Sequence, residues 1–151
     1  MATQINGIAG MKELVGQHLG YSDWLEITQD RVDAFADATG DHQWIHVDPA
    51  RAAEGPYGAT IAHGYLTLSL LPALTAELMD IRGFAMMINY GLEKLRFPAA
   101  VKVGSRIRAG VEFTSLERRS SGVQLNSLVT VEIEGGDRPA LVAETVRLMV
   151  P

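Results

Sequence analysis

Cysteine is absent from the 151 residues, so a disulfide framework, a thiolate zinc site and a cysteine nucleophile are excluded outright. Positive charge is scarce as well. Thirteen Lys and Arg against 18 Asp and Glu leave a formal net charge of -5 and a pI near 5.3. Nucleic-acid affinity is supplied mainly by bases neutralising phosphates, so no nucleic-acid partner is expected. No basic segment followed by an apolar run opens Met1-Ala2-Thr3-Gln4-Ile5-Asn6-Gly7. No signal peptide is therefore read, and a cytoplasmic location is expected. Between Gly55 and Ala76 there is no Asp, Glu, Lys or Arg, long enough to raise a membrane span. Gly55, Pro56, Gly58, His63, Gly64 and Pro72 interrupt it, leaving Leu66 to Met79, the length of a buried helix in a soluble domain. No membrane partner is expected. The serines lack the Gly-x-Ser-x-Gly context of a nucleophile elbow, and neither a dinucleotide glycine fingerprint nor a phosphate loop occurs. Hydride and phosphoryl transfer are unsupported, and no cofactor is expected.

What is present suits one domain over residues 1–151, 47% hydrophobic and 21% charged. A short helix is read around Met11 to Val15, stopped by Gly16, and a first strand over Leu19 to Ile27. Thr28 is placed as an N-cap, with Asp30 in the first turn. Val32, Phe35, Ala36 and Thr39 follow the spacing of an amphipathic helix that Gly40 ends. Asp48 caps a second short helix that starts at Pro49. From Ile61 to Met79 the chain is apolar on nearly every side, which predicts one long helix wrapped by other elements. Alternation over Val101 to Phe113, and more clearly over Val123 to Ile133, predicts half-buried antiparallel strands. Leu141 to Val150 is a further strand after the turn Gly135-Gly136-Asp137-Arg138. Phe84 to Phe97 is extended, with a phase change that predicts a bulge near Glu93 or Lys94. The order predicts an α+β fold, a four-stranded antiparallel meander curled round a central helix.

Chemistry concentrates in Thr39-Gly40-Asp41-His42-Gln43-Trp44-Ile45-His46-Val47-Asp48-Pro49. Asp41 and His46, five apart on an irregular segment, can face one space and hold a water as a carboxylate and a neutral imidazole. The plainer alternative is that Asp41 caps a turn and His46 is a satisfied half-buried histidine. His42 and His46 with His63 would be a metal candidate. The helix-stopping Gly40 and the missing Glu of the zinc-hydrolase motif count against it, and no metal is expected. The N–H of Gly64, at the start of the apolar helix, is an oxyanion donor or simply a close packing point. Tyr57, Tyr65 and Phe84 are candidates to line a tunnel for an aliphatic chain, or else plain core.

Phe35 to His46, then Ala52, then Ile61-Ala62-His63-Gly64 resemble the MaoC-like hot-dog family, whose members include R-specific enoyl-CoA hydratases. The likeness runs on to Leu95-Arg96-Phe97-Pro98 and Val103-Gly104-Ser105. It implies a hot-dog fold, usually dimeric, and reversible hydration of a trans-2-enoyl thioester to the R-3-hydroxyacyl thioester. It assigns the catalytic aspartate to Asp41, the histidine to His46 and the oxygen-binding N–H to Gly64. The substrate partner would be an acyl-CoA or an acyl-carrier-protein thioester. Gln43 and Trp44 stand where the commonest motif has Asn-Pro, which bears on loop shape and so on the acyl chain accepted. Lys94, Arg96, Lys102 and Arg106 are either contacts for CoA phosphates or solvated strand charges. A hot-dog thioesterase and a non-catalytic acyl-binding module are the alternatives.

Overall fold

The computed structural model describes residues 2–151. The elements in chain order are β1 (Thr3–Asn6), α1 (Gly7–Leu14), β2 (His18–Tyr21), β3 (Leu25–Glu26), α2 (Gln29–Thr39), α3 (Trp44–Val47) and α4 (Pro49–Ala53). Then come α5 (Gly64–Ser69), α6 (Leu71–Ala76), β4 (Met79–Arg82), β5 (Met86–Arg96), β6 (Arg106–Arg119), β7 (Gly122–Ile133) and β8 (Leu141–Val150). The main sheet runs β2-β6-β7-β8-β5, with β3 also on β6. The α+β expectation holds.

Alternation decides which face of the long strands is buried. Ile107, Ala109, Val111 and Phe113 of β6 and Val123, Leu125, Val129 and Val131 of β7 all turn inward and form the core with α5 and α6. The phase change in β5 is present as register shifts between Asn89 and Gly91 and between Leu92 and Lys94. Both termini of α2 follow the sequence: the Thr28 hydroxyl accepts from the Arg31 N–H, and Gly40 at φ 82° closes the helix in the left-handed conformation. Asp48 likewise accepts from the Arg51 N–H at the start of α4.

Six expectations need correction. The first helix begins at Gly7 rather than near Met11, after a four-residue strand β1 that pairs in parallel with β4. The strand over Leu19 to Ile27 is two strands, because buried Ser22 uses its hydroxyl, not its carbonyl, to accept the Ala109 N–H. The central helix is two pieces meeting at Leu70, since Pro72 has no N–H to offer the preceding turn and its ring crowds that carbonyl. Nor is it wrapped on every side within one chain: Tyr65, Ser69, Pro72, Ala73 and Ala76 are exposed. Val101 and Val103 precede the strand, which begins at Arg106. They lie in the connection 97–105, whose backbone bonds to Thr60, Ala62 and Ile27 rather than to a neighbouring long strand. That connection is also why the meander has three strands, β6-β7-β8, with β5 carried to the far edge of β8.

Candidate active site

The site is built where the chain leaves α2 and later returns to start α5. Gly40 turns the backbone out of α2. The Asp41 carboxylate then accepts the Gln43 N–H at 3.3 Å, so Asp41 does cap its own turn. One turn of helix, α3, presents His46 inward, where it is buried. The returning segment 60–62 runs alongside: the Ile61 N–H donates to Ile45, and His46 Nδ1 lies 2.7 Å from the Ile61 carbonyl oxygen. A carbonyl can only accept, so Nδ1 carries the proton and Nε2 keeps its lone pair free.

Gln29, in the first turn of α2, locks these two segments together. Its Nε2 donates to the His46 carbonyl at 2.8 Å and to Asp33 at 2.9 Å, while its Oε1 accepts from the buried Thr60 hydroxyl at 2.6 Å. His63 completes the cluster. Its ring stacks on His46 with centroids 3.8 Å apart and planes 22° apart, and its Nε2 donates to the Asp41 carbonyl at 3.0 Å. His63 Nδ1 is buried without a partner among the described residues.

Polar atoms of Asp41, His46 and His63 lie within 4.8 Å of one another. Two hydrogen bonds of about 2.8 Å meeting at a tetrahedral angle on one water hold their outer atoms roughly 4.6 Å apart, a span that this 4.8 Å limit admits. A metal fits less well, because near-parallel stacked rings send their in-plane lone pairs side by side instead of converging on a point. Burial lowers the His46 pKa below the ordinary histidine value, and the nearby His63 adds to this. The bond to Ile61 and the charge of Asp41 oppose it. His42 is outside the cluster. It is exposed and bonded to Asp37 at 2.9 Å, which raises its pKa.

Gly64 follows His63 directly and opens α5. A side chain there would meet the Phe97 ring at 3.0 Å, so glycine lets that ring pack close whatever its N–H does. The other candidate binding residues are dispersed. Tyr65 is 68% exposed and edge-on to Phe97, and Tyr57 is exposed in its loop. Phe84 packs on the core ahead of β5, at the strand's opposite end from Phe97, and is not brought to the cluster. Trp44 lies under the Arg51 guanidinium at 4.3 Å and against Gly55, while Gln43 is exposed beside Asp41. The large cleft, about 440 Å³, starts at Leu68, one turn beyond Gly64, between α5–α6 and the sheet; Tyr57, Tyr65 and Phe84 do not line it. Sequence reasoning weighed His63 only as a metal ligand and passed over Gln29 and Thr60. His63 was detectable as an imidazole flanking Gly64, whereas Gln29 carries no sequence signal beyond following an N-cap.

The model for the MaoC like domain matches residues 11–134. The chain is 53% identical over 140 residues to 3-hydroxyacyl-thioester dehydratase Z of Mycobacterium tuberculosis, covering 92% of this chain and 93% of that protein. It is similar in structure to the unliganded R-hydratase PhaJ1 of Pseudomonas aeruginosa, with TM-score 0.74, 26% identity, and 93% and 84% of the two chains covered. The (R)-hydratase of Aeromonas caviae involved in PHA biosynthesis superposes with TM-score 0.73 and 29% identity over 91% of this chain and 96% of that one.

Proposed function

This chain belongs to the MaoC-like dehydratase family, and we propose that Asp41, His46 and Gly64 are the residues that carry its reaction. The fold is the hot dog of its R-hydratase neighbours. The protein is a hydro-lyase acting on thioesters: it adds water reversibly to a trans-2-enoyl-CoA to give the (R)-3-hydroxyacyl-CoA.

The observation that carries the residue assignment is the His46 tautomer. With Nδ1–H committed to the Ile61 carbonyl, Nε2 is left as the free base of a ring whose polar atoms cluster with the Asp41 carboxylate within 4.8 Å. A water held there gives one hydrogen to the Asp41 carboxylate as a hydrogen bond and the other to Nε2. As its oxygen forms a bond to the β carbon, the O–H proton passes to Nε2. The π electrons move toward the thioester, whose oxygen becomes enolate-like and meets the Gly64 N–H. The imidazolium then returns that proton to the α carbon on the same face. One C–O and one C–H bond have formed, one O–H and one C–C π bond have broken, and His46 is neutral again. Dehydration is the same path reversed.

A homodimer is part of this reading, and the exposed free edge of β5 supports it. Met86, Met87, Ile88, Tyr90 and Leu92 are exposed on an 11-residue edge strand, an arrangement that favours pairing with a second copy across a two-fold axis. Among the described residues no helix is long and apolar enough to cross a membrane.

The test is crotonyl-CoA hydration followed by loss of enoyl absorbance, with chiral analysis of the product. The R product from the wild type and strongly reduced turnover in a folded Asp41→Asn variant are expected. An S product, release of free thiol, or near-native Asp41→Asn turnover would refute the reading.

A further inference from the structure

Period-2 alternation puts Leu141, Ala143, Thr145, Arg147 and Met149 of β8 on the helix-facing side, opposite Val131, Val129, Ser127, Leu125 and Val123 of β7. Together with Ile107, Ala109, Val111 and Phe113 of β6, these residues include a single charge, Arg147; the other charge that the register puts on this face, Arg118 opposite Val123, is exposed. Leu125 across from Arg147 and Met149 beside it are fully buried. Arg147 Nε is buried without a hydrogen-bond partner, and the guanidinium otherwise reaches only Met87 Sδ, at 3.9 Å. Among the described residues no ion pair forms with it. Burial lowers its pKa, yet a guanidinium stays charged throughout the neutral range.

Arg147 also borders the cleft of about 440 Å³, whose other walls include Leu68, Pro72, Leu92 and Val129. The cleft is mostly apolar, so an acyl chain suits its lining and a bare cation does not. Desolvating an unpaired charge is costly unless a partner of opposite sign is supplied. Asn89, in register with Arg147 on β5 and next to the bulge, borders the same space and adds an amide donor. Arg147 is the one charged residue among those lining the cleft, and its sign favours an anion. A carboxylate matches the planar fork of a guanidinium with two parallel bonds.

We infer that Arg147 makes the far part of this cleft an anion-accepting subsite, and that the preferred substrates are enoyl thioesters whose acyl chain ends in a carboxylate. The inference rests on the hydratase reading above, because it takes the thioester end to be at Gly64. From Gly64 to Leu68 the helix rises about 6 Å, so a chain leaving the thioester enters the cleft after a few carbons. A methyl terminus of the same length would leave the half-buried Arg147 without a partner of opposite sign.

The experiment compares kcat/KM for two series of trans-2-enoyl-CoA esters of matched medium chain lengths, one ending in methyl and one in carboxylate. The full-length wild type and Arg147→Met are used, with the oligomeric state of each measured by size-exclusion chromatography. The wild type is expected to prefer the carboxylate series at its best chain length. In Arg147→Met the carboxylate-to-methyl ratio is expected to fall about tenfold to a hundredfold, the range for a lost hydrogen-bonded charge pair. A wild type indifferent to the terminus overturns the inference, even if Arg147→Met fails to fold. So does an unchanged ratio, or an Arg147→Met protein whose only defect is dissociation of a dimer, which would make Arg147 an interface residue. If methyl esters are hydrated without any charge preference, this inference fails while the hydratase reading stands. If neither series turns over, the hydratase reading fails first.

Discussion

Replacing Gln29 by Leu tests how the active geometry is held, because it keeps the size of the side chain and removes every hydrogen bond it makes. Three bonds disappear: those to the His46 carbonyl at 2.8 Å, the Thr60 hydroxyl at 2.6 Å and the Asp33 carboxylate at 2.9 Å. The Asp33 bond joins two residues of one helix near solvent and contributes little. The other two matter more, since Thr60 is 4% exposed and the His46 carbonyl sits behind a buried ring. Each buried partner left unsatisfied costs about 1–3 kcal/mol, so a loss of about 2–6 kcal/mol is expected. Thr60→Val alone removes one of these bonds, and the double variant should be less destabilised than the sum of the singles. Urea unfolding followed by fluorescence reads this out through two tryptophans, Trp24 and Trp44, the second of which lies in the segment being released. Because His46 loses one of the contacts that set its backbone, kcat should fall about tenfold or more while KM changes little. A stability loss below about 0.5 kcal/mol, or additive single variants, would show that Gln29 does not hold the two segments together.

Other consequences are open to measurement. The lowered pKa of His46 means that its base form survives acidification, so kcat/KM should stay level down through pH 6.5 and fall only below the ordinary histidine range. The same shift has a stability sign. The unfolded chain takes up the proton first, so the contribution of neutral His46 is complete above about pH 6.5 and is lost as pH falls toward its folded pKa; an unfolding midpoint rising on acidification through pH 6 would contradict this. Gly64→Ala keeps the N–H but meets Phe97 at 3.0 Å, so its activity should drop and recover at least in part in Gly64→Ala/Phe97→Leu. No recovery would place the defect in the helix start itself. Ile88→Lys, on the free edge of β5, should weaken self-association in sedimentation, and an unaltered dimer would move the interface elsewhere.

Where each feature could be read in the chain follows from how local its cause is. Strand β7 was legible because alternation reports burial on one face, β8 because the turn Gly135-Gly136-Asp137-Arg138 precedes it, and both ends of α2 because Thr28 and Gly40 act within one turn of themselves. The bulge in β5 was visible as a phase change between Leu92 and Leu95. The splitting of β2 from β3 was not, since it depends on the Ser22 hydroxyl finding Ala109, 87 positions away. The partner of β5 was missed for a related reason: hairpin logic favours β6, but residues 97–105 are committed to Thr60, Ala62 and Ile27. Asp41 and His46 stood out as polar groups crowded after a helix stop. The stacking of His63, the Gln29 lock and the isolation of Arg147 exist only once distant segments pack together. The candidate tunnel residues Tyr57, Tyr65 and Phe84 were chosen for being aromatic, and aromatic character alone does not say which side of the sheet or helix a ring faces.

The most direct test of the central claim, that His46 Nε2 is the base that takes the proton of the attacking water, is the turnover of His46→Gln on crotonyl-CoA, with circular dichroism confirming the fold. Glutamine can keep a hydrogen bond to Ile61 but has no basic nitrogen. A decrease in kcat of about 10²- to 10⁴-fold is expected, the range for a lost general acid-base group. A folded His46→Gln protein within about tenfold of wild type would contradict it.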